Sequence, residues 1–198
     1  MPTFLKKFKV SSQKEGVGAT VKRIIGTSNL RSLDPFLMCD NFNLKLPAGF
    51  PDHPHRGFET VTYMLQGSIY HEDCHGHSGK IEAGDIQWMT AGRGIVHSEM
   101  PGTYDIETKG FQVWINLPAK KKMCDPKYQE FRSKDIPEYK EDGLTVKVIA
   151  GDSYGLKAII KPASTAMYLD VHLDSGKIFK QKVEKGWNAL VFTYLGEN

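Results

Sequence analysis

No apolar run among the 198 residues approaches the ~20 positions a helix needs to cross a bilayer, so no membrane partner is expected. The opening MPTFLKKFKV carries charge but no apolar stretch long enough for a secretory signal. Cysteine is scarce. Cys39, Cys74 and Cys124 are odd in number and lack a framework spacing, so reduced thiols inside the cell, in nucleus or cytoplasm, are expected rather than disulfides. Charge of one sign is scarce too: 26 Lys and Arg against 23 Asp and Glu leave a net of +3. Direct nucleic-acid binding needs a concentrated basic patch, so none is expected. The densest basic run, Lys120 to Lys122, reads as a solvated loop.

Helical apolar stripes longer than about three turns are also missing. What is present is a period of two. Phe111, Val113, Ile115 and Leu117 alternate with Gln112, Trp114 and Asn116, as a half-buried strand requires. Met167, Leu169, Val171 and Leu173 repeat the pattern, as do Leu144, Val146 and Val148. Further strands are predicted at 18–26, 59–66, 68–73, 85–89 and 189–195, with turn signals at 66–68, 83–85 and 142–143. Many short strands at this spacing predict an antiparallel sandwich or barrel. The polar, proline-bearing stretch 118–142 reads as a linker with a helical turn.

The chemistry concentrates in GFPDHPHRGFE, residues 49–59. His53 and His55 share parity, so on a strand both imidazoles point to one face. A metal site needs more donors, and Asp52 and Glu59 lie within reach in sequence. Forty residues on, TAGRGIVHSEMP carries a second pair of the same spacing, His97 and Glu99. An H-x-H pair with an H-x-E pair gives three nitrogens and one oxygen, a set that suits a divalent transition metal and leaves room for water, oxygen or substrate. It closes the site more economically than Glu59, which a straight strand would carry about two steps beyond His55 unless Gly57 kinks it.

The stretches GFPDHPHRGFETVTYMLQG and HEDCHGHSGKIEAGDIQWMTAGRGIVHSEMP resemble the signature of the pirin family, two-domain members of the cupin superfamily. DPFLMCDNF upstream and YQEFRSKDIP, DGLTVKVIAG and KGWNALVFTYLGE downstream extend the likeness over nearly the whole chain. The resemblance implies an all-β fold: an antiparallel cupin (jelly-roll) barrel over 1–131, then a linker and partial second cupin-like β segment over 132–198. It implies iron, as Fe2+ or Fe3+, on His53, His55, His97 and Glu99; other divalent transition metals are compatible with the same donors. The implied activity is that of a quercetin 2,3-dioxygenase, taking a flavonol and O2, with Glu99 as the catalytic base. The alternative it implies is an iron- and redox-dependent nuclear coregulator that binds a transcription-factor partner without turnover. Against the looser cupin pattern, only three residues separate Gly49 from His53, and Gly92-Arg93-Gly94 replaces a Pro-x-Gly. The chain ends at Asn198, after a segment resembling the early strands of the second barrel, so exposed strand edges are expected there.

Other histidines are read more plainly. HEDCHGH, residues 71–77, gathers His71, Cys74, His75 and His77, but reads as a polar loop between strands rather than a zinc site. His172 reads as a solvent-facing strand residue. Gly92-Arg93-Gly94 reads as a tight turn delivering His97, and Arg56 as the partner of a carboxylate, either beside the metal ligands or on the surface.

Overall fold

The computed structural model describes residues 7–196; Met1–Lys6, part of the opening segment read above for a signal, and the last two residues lie outside them. Alternating residues dictate the architecture: two antiparallel sheets lie face to face, and a smaller sheet covers the outer face of the larger one. The larger sheet has seven strands: β1 (Ser12–Glu15), β2 (Ala19–Ile25), β3 (Phe36–Leu44), β5 (Phe58–Gln66), β8 (Ile86–Thr90), β10 (Thr108–Asn116) and β11 (Lys127–Phe131). Their spatial order is β1-β2-β3-β10-β5-β8-β11. The facing sheet has four: β4 (Phe50–His55), β6 (Ser68–Asp73), β7 (Ser78–Glu82) and β9 (Ile95–Pro101), in the order β4-β9-β6-β7. A three-stranded sheet, β12 (Glu138–Glu141), β13 (Leu144–Ala150) and β16 (Tyr168–Leu173), follows, with the short hairpin β14 (Asp152–Ser153) and β15 (Leu156–Lys157). Among the described residues no helix is long and apolar enough to cross a membrane.

The seven-stranded sheet is covered on both sides, and parity sorts its residues. Odd-numbered Val61, Tyr63, Phe111, Val113 and Ile115 join Ile24, Ile86 and Trp88 in a core shared with Ile149, Ala150, Ile160 and Ala166. Even-numbered residues of β5 and β10 face the four-stranded sheet instead, as the contacts Thr62–Glu99, Gln112–Glu99 and Trp114–His55 establish. Polar residues on β10 therefore do not mark a solvent face. They mark the inside of the sandwich.

Two expectations need correction. The stretch 118–142 is not a plain linker: Lys127–Phe131 forms β11 against β8, with Tyr128 opposite Met89 and Glu130 opposite Gln87. Two 3-10 turns (Ala119–Lys121 and Ser133–Asp135) and β12 account for much of the rest. Its polar composition hid a strand whose inward residues serve a polar interior. The strand predicted at 189–195 does not form. Leu190, Phe192 and Tyr194 keep the alternation and pack on the shared core, but among the described residues no strand lies beside them to complete a ladder. Side-chain burial alone leaves a strand's backbone groups unpaired.

Candidate metal centre

β4 and β9 are neighbours in the four-stranded sheet, and their register sets His53 opposite His97. The i,i+2 spacing then places His55 on the same face. The three imidazole centroids lie 4.6–5.0 Å apart, and one ring nitrogen from each comes within 4.8 Å of the other two. His53 Nδ1 stands 2.8 Å from the Pro51 carbonyl oxygen and donates to it, which leaves Nε2 as the lone-pair nitrogen.

Nothing among the described residues satisfies the other two rings. His55 and His97 are 4% and 1% exposed, and neither ring nitrogen of either makes a hydrogen bond. A buried polar group left unpaired costs about 1–3 kcal/mol, so converging orphan nitrogens fit an ion that would supply the missing partner. The electrostatics agree. Burial, reinforced by the neighbouring His97 and His53, pushes His55 down to about 3. Burial also lowers His97, against an opposing pull from Glu99. Both rings are thus neutral near pH 7, the form that ligates metals.

Glu99 lies on β9 two residues beyond His97 and is 2% exposed. It is not among the donors that converge within 4.8 Å. Its carboxylate accepts hydrogen bonds from Thr62 Oγ1 at 3.0 Å and from Gln112 Nε2 at 3.1 Å, reaching across to the larger sheet. Phe58 and Trp114 complete the surroundings, each edge-on to His55 with centroids 5.1 and 5.2 Å away. Sequence reasoning named none of Thr62, Gln112, Phe58 and Trp114 as part of the site. Their signal was the parity of β5 and β10, once the larger sheet is known to be covered on both faces.

The other carboxylates of the opening motif go elsewhere. Gly57, at φ +77°, breaks the strand between β4 and β5 and sends the chain from one sheet to the other. Glu59 consequently points to the outer face of the larger sheet, fully buried, where it accepts from Trp88 Nε1, Thr90 Oγ1 and the backbone N–H groups of Ala163 and Ser164. Asp52 is exposed. Among the described residues Arg56 meets no carboxylate: its guanidinium approaches Met123 Sδ at 3.5 Å.

The turn before β9 depends on glycine. Gly94 N–H donates to the Ala91 carbonyl, and Gly92, at φ +52°, lies so close to the Cys124 carbonyl that a Cβ would overlap it. Of the HEDCHGH residues, Cys74 and His75 stay outside, whereas His71 and His77 turn toward Glu130 on β11. Burial opposes the charge on Glu130, but the approach of His71 and a hydrogen bond from Gln87 outweigh it and hold the carboxyl at about 2. His172 sits exposed beside Asp170 and Tyr194, away from both clusters.

Comparison with known proteins places this geometry. The Pirin family model matches residues 18–115. A pirin-like protein from Solanum lycopersicum is 52% identical over 193 residues, which are 98% of this chain and 66% of that protein. Pirin-1 from Arabidopsis thaliana is 50% identical over 98% of this chain and 67% of its own length. Among solved structures, a quercetin 2,3-dioxygenase from Acinetobacter baumannii superposes with a TM-score of 0.77 at 35% identity, covering 85% of this chain and 63% of that one. The chain spans about three-fifths to two-thirds of the length of the curated relatives it matches.

Proposed function

Because the chain belongs to the pirin family, with the cupin fold, we propose that it is a metal-dependent dioxygenase of quercetin 2,3-dioxygenase type. The observation that carries this reading is the convergence of three orphan imidazoles beside a buried carboxylate. The structural likeness to a quercetin 2,3-dioxygenase at 35% identity supports the choice of chemistry. His53, His55 and His97 would hold iron, with Glu99 as the fourth ligand. When bound, the ion would supply Lewis-acid polarisation and a common template for a phenolic oxygen and O2. We assign the metal-binding unit to residues 1–131.

The chain's own residues supply the rest. Glu99 would accept the flavonol hydroxyl proton on a carboxylate oxygen, the position a general base must occupy. Thr62 and Gln112 donate to that carboxylate and aim it into the space between the sheets, as outer partners of metal ligands do. Phe58 and Trp114 form an aromatic wall against His55, which would exclude water and stack on a flat polyphenol. The net reaction opens the flavonol C-ring with O2 and releases carbon monoxide.

The test is oxygen uptake by the iron-loaded chain with quercetin, with carbon monoxide measured in parallel. Uptake that Glu99→Ala abolishes supports the reading. Full activity in Glu99→Ala removes Glu99 from its role. Iron-dependent binding of a protein partner with no uptake by the parent chain would replace the enzyme by a coregulator.

A further inference from the structure

We propose that His71, His77 and Glu130 form a second metal site, distinct from the His53–His55–His97 centre, that takes a divalent ion of the zinc class. One donor atom from each of the three lies within 4.8 Å of the other two. His71 Nε2 is 2.8 Å and His77 Nε2 3.6 Å from the same oxygen, Glu130 Oε1. Tetrahedral ligands at ~2.0–2.1 Å from an ion stand roughly 3.3–3.4 Å from one another, and the two separations bracket that value. Two imidazoles and one carboxylate, with a fourth position left for water, are the donor set of an open zinc site.

The second observation is His71 itself. It is 1% exposed, and among the described residues neither ring nitrogen makes a hydrogen bond of acceptable direction, in spite of the short approach of Nε2 to Glu130. A buried imidazole paired only to a carboxylate would direct its N–H along that line. One that awaits an ion has no such need. Space is reserved beside it: Gly79 pairs with His71 across β6 and β7, and a Cβ there would stand 2.5 Å from Nε2. His77 and Glu130 have side chains 40% and 30% exposed, so an ion has a path from solvent.

The surroundings hold the donors in place. Asp73 Oδ1 accepts from the backbone N–H groups of His75 and His77, and Asp73 N–H donates to the His77 carbonyl. That closes the β6–β7 turn and points His77 back over β6. Tyr128 stacks on both rings, at 5.8 Å from His71 and 4.2 Å from His77. Gln87 Nε2 donates to Glu130 Oε1 at 2.6 Å. HEDCHGH therefore supplies two ligands, and the third comes from β11, fifty-odd residues away.

Zn2+ titrated calorimetrically into the metal-free full chain tests this, with metal content measured after desalting. The wild type should bind two equivalents. His77→Ala and Glu130→Gln, which alter partly exposed side chains, should each keep one equivalent and the parent melting profile. The lost site should weaken by more than the ~10–100-fold that loss of an outer partner costs. His97→Ala should retain one equivalent, now on the second site. One equivalent in the wild type that His97→Ala abolishes would overturn the proposal. So would two equivalents retained in His77→Ala, or a second equivalent removed by His75→Ala alone, which would mark loose binding by an exposed loop histidine.

Discussion

Glu59→Gln separates fold from site, because Glu59 is the first carboxylate after the H-x-H pair in sequence yet serves the opposite face of the sheet. Its Oε1 accepts from Trp88 Nε1 at 2.9 Å, Thr90 Oγ1 at 2.8 Å and Ala163 N–H at 3.1 Å. Its Oε2 accepts from Ser164 N–H at 3.0 Å. Four donors among the described residues face it. Glutamine can keep the three bonds at Oε1, but its NH2 then opposes the Ser164 N–H. Leaving that buried donor unpaired costs about 1–3 kcal/mol, and the three retained bonds lose their charge assistance. Removing a buried charge offsets part of this. The net expectation is a loss of about 2–4 kcal/mol. At the ~2–4 °C per kcal/mol usual for a chain of this size, the melting temperature should fall by roughly 4–16 °C. Thermal melts by circular dichroism measure it, and metal content on the same samples should match the wild type. An unchanged melting temperature would refute the energetic argument, and loss of the metal would refute the placement of Glu59 outside the site.

Gly92→Ala should lower stability by at least ~1–3 kcal/mol from its left-handed backbone alone, and weaken metal binding because the displaced turn leads into β9; a chemical-denaturation curve with a metal titration reads both. Thiol labelling should modify exposed Cys74 rapidly and leave Cys39 untouched in the folded protein. Burial, with the nearby Asp40 charge, pushes the Cys39 thiol up to about 12, so it stays protonated in the fold while an unfolded chain loses that proton near pH 9. Stability should therefore decline as pH rises from about 9 toward 12, and Cys39 should label only as the protein unfolds, which a mass spectrum taken along a pH series would show.

Much of the fold was legible because alternation survives wherever one face of a strand is buried. β2, β5, β6, β8, β10, β13 and β16 each fall on a stretch whose spacing or composition announced a strand. β11 was not legible, since Tyr128 and Glu130 point inward to a polar interior and supply no apolar period. The segment 189–195 misled for the reverse reason: its alternation reflects packing of Leu190, Phe192 and Tyr194 on the shared core without a neighbouring strand. In the site, i,i+2 spacing sets His53 and His55 on one face of β4, because strand geometry ties spacing to facing, while the β4–β9 register, which spacing does not give, brings His97 to them. It could not reveal that Thr62 and Gln112 hold the Glu99 carboxylate, a cross-sheet contact between residues 37 and 13 positions apart in sequence. Nor could it separate His71 and His77 from their loop neighbours, since their common partner, Glu130, lies on the strand that composition concealed.

The most direct measurement is the anomalous scattering of iron in crystals of the iron-loaded chain. The account predicts a peak bonded to a nitrogen of each of His53, His55 and His97 and to a carboxylate oxygen of Glu99, absent from crystals of His97→Ala. A peak with no bond to Glu99, or one that lies only at His71, His77 and Glu130, would contradict it.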